Sequence, residues 1–234
     1  MLYVDDDIIT SKINKRIDAE SSSLKSSFNL TDEGNLKDDL GTRFDFNSDG
    51  FIELTQPRMI HRALKFVGLD VNDQHVKIHD SPASSEKLLD NDPNGKPHLQ
   101  PCHYRSAVGC LSYISATIHP DITMPVQKCA RFCNDPRQEH EEAVKRISQY
   151  LLRVHEKGLI LKPDRTCGLE CWVDAAWAGS WKHCSSHDPH SAHSRTEFII
   201  MYDRCPILWK TSMQKLVALS TTKSEYIALS STLR

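Results

Sequence analysis

No stretch of this chain approaches the roughly 18 to 20 consecutive apolar residues that span a bilayer, so membrane insertion is not expected. The opening, MLYVDDDIITSKINKR, lacks the basic-then-apolar layout of a secretory signal, and secretion is not expected either. Cysteine is not scarce, with eight between Cys102 and Cys205, but no two stand as C-x-x-C. Nothing points to an oxidising compartment, so they read as reduced thiols. Internal repeats are absent, as is any low-complexity tract beyond short Ser/Thr runs. Neither sign of charge dominates, for the formal net charge is −2. That balance hides an asymmetry. Residues 1–100 carry 12 Lys/Arg against 18 Asp/Glu, and residues 101–234 carry 17 against 13. The basic surplus of the second part suits a phosphate-binding face or an ordinary solvated surface. What is present suffices for buried cores: 39% apolar residues over 234 positions, enough for one or two domains.

The chain alternates in texture. Leu2, Tyr3 and Val4 precede Asp5, Asp6 and Asp7, with Ile8 and Ile9 after, which reads as two short strands hinged at the aspartates. Ile13, Ile17, Leu24 and Phe28 recur at spacings of four, seven and four, predicting an amphipathic helix from Lys12 to Phe28. Thr31 to Asn35 reads as a turn. Arg43–Phe46 and Phe51–Leu54 flank Asn47-Ser48-Asp49-Gly50, a hairpin signal. A helix opens at Pro57 and runs to Val67. Residues 80–101, polar and with four prolines, make a linker or a long surface loop. Helices are predicted over Arg105–Thr117, stopped by His119-Pro120, and over Pro125–Cys133. A third is expected to be capped by Asp135 with Pro136 first inside. Its apolar side is Ala143, Ile147, Tyr150, Leu151 and Val154, and Gly158 ends it. Leu169–Asp174, Thr196–Tyr202 and Pro206–Thr211 are strand-like, and a helix starts near Thr222. The fold class is thus α/β in the α+β sense, ending in three strands and then a helix.

Four constellations could carry chemistry. In Tyr3-Val4-Asp5-Asp6, two carboxylates on a tight turn repel unless a cation is near. Two divalent metals would relieve the repulsion and clamp the attacking and leaving oxygens of phosphoryl transfer; an exposed acidic turn is the plain alternative. Asp174 at a strand end and Glu225 in a helix form a second pair, able to converge on a metal across a sheet–helix interface. Thr222-Lys223-Ser224-Glu225 is equally a capping box, and Glu225 could serve either role or both. Asp45 to Gly50 matches the opening of an EF-hand calcium loop, but Gln56 stands where the bidentate Glu belongs, so a hairpin is the better reading. The run from His183 to His193 offers imidazoles and a thiol, yet its spacing fits no known zinc layout, and a solvated loop is preferred.

Further stretches add to these in a fixed order: Asp39-Leu40-Gly41, Leu54-Thr55-Gln56, YRSAVGCLSY from Tyr104 to Tyr113, His119-Pro120-Asp121-Ile122, and the helix ending at Tyr150-Leu151. After them come WVDAAWAG from Trp172 to Gly179 and KLVALSTTKSEYIAL from Lys215 to Leu229. Together with Tyr3-Val4-Asp5-Asp6 they resemble the copia-type LTR retrotransposon Pol polyprotein over nearly the whole chain. The resemblance implies the C-terminal part of a reverse-transcriptase palm with linker (1–100), a helical thumb/connection segment (101–163) and a truncated RNase H-like domain (164–234). It implies that Asp5 and Asp6 are polymerase carboxylates, and that Asp174 and Glu225 are RNase H metal ligands, with Mg2+ of the two-metal type as cofactor. The implied partners are an RNA–DNA hybrid or template–primer duplex and the remainder of the Pol polyprotein. The implied location is intracellular, in a cytoplasmic virus-like particle or the nucleus.

Departures accompany the match. Ala176 and Lys223 stand where acidic residues are usual, and Asp7 where an apolar one is. The resemblance implies that the first polymerase carboxylate and the third RNase H carboxylate fall outside this sequence, so the isolated chain is expected to be inactive or nearly so, and only marginally stable. A non-catalytic hybrid-binding module, using basic helices around Lys128, Arg131, Lys145, Arg146 and Arg153, and a decayed element with no function are the alternatives.

Overall fold

The computed structural model describes residues 2–3 and 6–7 by backbone alone, and residues 8–70, 76–84, 94–97, 103–179, 181 and 189–234 in full. The chain divides into two compact units, Met1–Leu40 and Gly41–Arg234, and is mixed α+β.

In the first unit, β1 (Leu2–Tyr3) pairs antiparallel with β2 (Asp6–Asp7), Leu2 opposite Asp7 and Tyr3 opposite Asp6. The second strand thus falls on the aspartates themselves and not on Ile8 and Ile9. Helix α1 (Asn14–Ser27) is slightly shorter than its sequence pattern and buries no residue. Its expected apolar stripe is not fully buried: Ile17 and Leu24 are half-buried, and Ile13 and Phe28 are exposed. A polar clasp closes its end instead. Asp32 accepts from Lys25 Nζ (2.9 Å), Ser21 Oγ (3.0 Å) and the Gly34 N–H (2.9 Å). Those bonds, led by Lys25, hold the Asp32 carboxyl down at about 2. The unit ends in the short β3 (Asp38–Asp39).

The second unit begins with a hairpin. β4 (Thr42–Phe46) and β5 (Ile52–Thr55) pair antiparallel. The Asn47 N–H donates to Phe51 O and the Gly50 N–H to Asn47 O, both at 3.0 Å. Gly50 takes a φ of 80°, which the turn needs and which glycine adopts without strain. The calcium-loop look-alike is therefore a turn between strands. A third strand, β6 (Leu159–Leu161), adds to β5. Gly158 matters here for a reason other than helix termination. A Cβ on it would collide with the Leu54 carbonyl oxygen and stand 2.7 Å from Thr55 Cγ2.

Four helices make the main core: α2 (Pro57–Phe66), α3 (Tyr104–Thr117), α4 (Thr123–Ala130) and α5 (Gln138–Val154). Ile60, Leu64, Leu111, Ile114, Ile122, Val126, Ile147 and Leu151 interlock there with almost no solvent contact, each such side chain contributing about 1.5–3 kcal/mol by burial. Tyr104 donates through its hydroxyl to Cys129 O (2.8 Å), tying α3 to α4. Between those helices, Pro120–Ile122 forms a 3-10 turn. Helix α5 starts later than expected. Its cap is Arg137 in extended backbone, not Asp135, and the Arg137 N–H donates to His140 Nδ1 (2.9 Å). Asp135 instead pairs with the Arg137 guanidinium (2.7 Å). Within segment 80–101, the described Lys96 and Pro97 dock on the start of α5; the rest of that stretch falls largely outside the described residues.

The chain closes with β7 (Leu169–Ala176), β8 (Arg195–Tyr202) and β9 (Cys205–Met213), antiparallel in that order, followed by α6 (Thr221–Thr232), which packs on β7 and β8. Asp203 and Arg204, with φ of 49° and 65°, form the tight β8–β9 turn. Trp209 on β9 donates from Nε1 to Ser115 O (2.6 Å), joining the sheet to α3. No helix among the described residues is long and apolar enough to cross a membrane.

Candidate functional site

Asp5 lies outside the described residues, and Asp6 is described as backbone only, opposite Tyr3. The geometry that follows therefore concerns Asp174 and Glu225.

Asp174 sits on β7, an edge strand of its sheet, so among the described residues one side of that strand has no partner in the sheet. Across the sheet it stands opposite Glu197 on β8, which stands opposite Thr211 on β9. Directly opposed residues share a face, so Asp174, Glu197 and Thr211 form one row. The Thr211 hydroxyl donates to Glu197 Oε1 (3.2 Å). Glu197 is thus a second carboxylate beside Asp174, which sequence reasoning missed. No tight turn joins β7 to β8, and without one the register is not legible from spacing.

Glu225 projects from α6, which covers the opposite face. Gln214, nearly fully buried, fixes that packing: its Nε2 donates to Thr196 Oγ1 (3.1 Å) on β8 and to Ser224 O (2.9 Å) on α6. Trp177 Nε1 donates to Ala218 O (2.9 Å) and holds the approach to the helix. An open hollow of about 670 Å³ is lined by Val173, Thr221, Thr222, Glu225, Tyr226 and Leu229. Asp174 and Glu225 therefore belong to elements in contact, on the two sides of one edge strand. The capping reading of Glu225 does not hold. The N-cap is Ser220, in extended backbone, whose Oγ accepts the Lys223 N–H (3.2 Å), while Thr222 already lies inside the helix. Glu225 is exposed and free of that duty.

Cations gather on the Asp174 face. Arg195, almost fully buried, reaches Thr211 Oγ1 (3.4 Å). Burial depresses the Lys128 ammonium, and Arg195 and Arg131 add to this against the pull of Glu197. Burial likewise lowers Arg195, with Glu197 opposing. Of the other basic residues singled out in the sequence, Arg153 pairs with Asp80.

His119 and Asp121 explain the His-Pro-Asp-Ile stretch structurally. His119 Nδ1 lies 3.2 Å from Asp121 Oδ1, and the Tyr150 hydroxyl donates to Asp121 Oδ2, locking the α3–α4 junction to α5. Burial pushes the Asp121 carboxyl up, but the bonds from His119 and Tyr150 outweigh it and hold it below the usual range. Burial, joined by Asp121, lifts the Tyr150 phenol to about 12. In the histidine-rich loop, residues 182–188 lie outside the described residues. His193 Nδ1 lies 2.7 Å from Gln214 O, a structural bond.

Carboxylate oxygens are the donors Mg2+ takes, so Asp174, Glu197 and Glu225 fit such an ion in kind. Among the described residues, no three His, Cys, Asp or Glu side chains are grouped to hold a metal. The six described cysteines are free of disulfide bonds.

No protein-family model matches the chain, and no solved structure matches it. Curated relatives do, almost from end to end. The retrovirus-related Pol polyprotein from transposon RE1 of Arabidopsis thaliana is 29% identical over 232 residues, covering 99% of this chain and 15% of the relative. The corresponding polyprotein from transposon TNT 1-94 of Nicotiana tabacum is 31% identical over 238 residues, again 99% of this chain and 17% of the relative. A putative transposon Ty5-1 protein of Saccharomyces cerevisiae is 27% identical over 234 residues, 99% of this chain and 71% of that protein. An α+β chain similar over its full length to such proteins is a mobile-element protein segment. It belongs to the retrovirus-related Pol polyproteins of copia-type transposons. The chain spans 15% and 17% of the length of the first two relatives.

Proposed function

We propose that this Pol segment contributes Asp174 and Glu225 to ribonuclease H chemistry on an RNA–DNA hybrid, and Asp5 and Asp6 to polymerase chemistry on a template–primer duplex. The observation that carries the reading is the contact between edge strand β7, bearing Asp174, and α6, bearing a Glu225 released from capping. Bound Mg2+ would supply the charge that steadies the attacking and leaving oxygens. The protein's part is to hold carboxylates where a cation can sit and to draw in phosphate. Asp174 and Glu225, on the two sides of edge strand β7, each offer a carboxylate for the first, so one cation would reach both only around that strand's edge. Lys128, Arg131 and Arg195 favour the second, as a cationic group beside the same sheet face. The remainder of the Pol polyprotein is the partner that would work with both sites.

Titrating the chain with Mn2+ while following backbone resonances tests this. Paramagnetic broadening is expected around both Asp174 and Glu225, with Asp174→Asn and Glu225→Gln each weakening it about tenfold. Broadening at neither position would sink the assignment. A second reading, hybrid binding without chemistry, rests on the same cations. It predicts affinity for a hybrid that falls with salt, with a slope reduced by roughly one when Lys128 becomes Gln, and that ignores Asp174→Asn.

A further inference from the structure

Away from the carboxylates, α4, α5 and the segment 76–84 surround a cavity of about 520 Å³. That is within the size range of small-molecule sites, about 300–1,000 Å³. Its floor is apolar, formed in part by Ala143 and Ile147, the latter fully buried in the helical core. Its walls are basic. Lys128, Lys145, Arg146 and His79 line it, against two carboxylates, Glu139 and Glu142. Glu142 is exposed and already accepts Gln138 Nε2 (3.1 Å). The inner cations are less well served. Arg146 Nε is shut off from solvent and has no hydrogen-bond partner among the described residues. A desolvated donor left without an acceptor is costly to the fold. Lys128 lies in no ion pair within 4.0 Å among the described residues; burial lowers its ammonium first, with Arg195 and Arg131 adding to this and Glu197 and Cys129 opposing it. His79 is held below its usual range by burial first and then by Arg146 and Lys77, against a bond with Gln149, so the wall gains no further positive charge at neutral pH.

An apolar floor beneath two under-partnered cations fits one chemistry. We propose that this cavity binds a small organic anion, an apolar or aromatic body carrying a phosphate, sulfonate or carboxylate. Arg146 and Lys128 take the anionic group, and the surface at Ala143 and Ile147 takes the body. Occupancy would supply the acceptor that Arg146 lacks, which is why an anion and not a neutral ligand is favoured. The site shares neither Asp174 nor Glu225, but it shares Lys128 with the phosphate-drawing cations of the reading above.

Calorimetric titration of the full chain with 1-naphthyl phosphate tests the proposal, with inorganic phosphate, 1-naphthol and adenosine monophosphate as comparison probes. Saturable one-to-one binding is expected, with phosphate alone and naphthol alone each at least tenfold weaker. Arg146→Gln should weaken naphthyl phosphate about tenfold, and Ala143→Phe should abolish binding by filling the floor. The exposed Lys157→Gln should change nothing, and circular dichroism confirms that each variant is folded. Tighter binding of adenosine monophosphate would identify nucleotides as the source, and weaker binding a non-nucleotide anion; both support the site. Absence of saturable binding would overturn it. So would phosphate binding as tightly as naphthyl phosphate, or binding indifferent to both Arg146→Gln and Ala143→Phe. Probe binding that persists while Mn2+ fails to broaden Asp174 and Glu225 separates the fate of this proposal from that of the carboxylates.

Discussion

The helical layer α2–α5 and the β7–β9 sheet with α6 spend their apolar residues in opposite ways. In the helices, Leu111, Ile114, Ile122 and Val126 are wholly buried. In the sheet, its helix and the connection between them, Leu169, Trp172, Leu219 and Tyr226 stand 70%, 63%, 80% and 71% exposed, and among the described residues there only Cys205, Ala218 and Ala228 are buried apolar ones. Hydrophobic burial holds the first region together. Directed polar bonds hold much of the second: Gln214 to Thr196 and Ser224, Trp177 to Ala218, Asp203 to Gly168. Burial is indifferent to direction and tolerant of small shifts, whereas a hydrogen bond weakens steeply when misaligned. A region that must present carboxylates at fixed positions gains from the second kind of support, and it gives up stability in exchange.

Substitutions can break or sharpen that contrast. Leu111→Ala in the helical core should cost about 2–5 kcal/mol, seen as a lowered urea midpoint. Gly158→Ala should cost about 2 kcal/mol or more, because the new methyl meets the Leu54 backbone. Gln214→Ala should cost about 1–3 kcal/mol by leaving buried groups on β8 and α6 unmatched. Its signature in hydrogen exchange is faster opening of α6 while α3 and α5 keep their protection. Leu229→Ala, at a 46% exposed position, should stay within about 0.5 kcal/mol. If Leu229→Ala proved as damaging as Leu111→Ala, the contrast between the regions would fall.

The smallest expected effect is a pH dependence within the helical layer. The bonds from His119 and Tyr150 hold the folded-state pKa of Asp121 below the ordinary carboxylate value despite its burial. Its contribution to stability is therefore fully present above about pH 4 and is lost as pH falls through the folded-state value. Asp121→Asn should flatten the fall in the urea midpoint between pH 5 and 3 (approximate limits set by ordinary carboxylate titration) relative to the parent chain.

Much of this architecture is legible in the sequence, and the exceptions share a physical cause. The hairpin at Asn47–Gly50, the helix opening at Pro57 and the three strands before α6 follow from local spacing and turn chemistry, which are properties of neighbours in the chain. Where tertiary contacts decide, local signals mislead. Thr222 to Glu225 has the letters of a capping box, yet Ser220 caps the helix because Gln214 and Trp177 fix the approach to it. Gly158 looks like a helix stop and is instead a point of backbone contact with β5. Tyr150 fits an apolar stripe but spends its hydroxyl on Asp121. At the site, Asp174 and Glu225 are visible as residue types, while Glu197 beside Asp174 depends on a strand register set across the long connection between Ala176 and Arg195.

The bond from Trp209 to Ser115 has a practical consequence. Trp172, Trp177 and Trp181 are 63%, 46% and 50% exposed, so their indoles emit from near-aqueous surroundings whether or not the sheet is seated. Trp209 alone of the four is half-buried and anchored to α3. With the other three replaced by phenylalanine, its fluorescence becomes an intrinsic gauge of docking between sheet and helices. Undocking would appear as a red shift before the helical circular dichroism changes, so the two regions could be watched separating in a single cuvette.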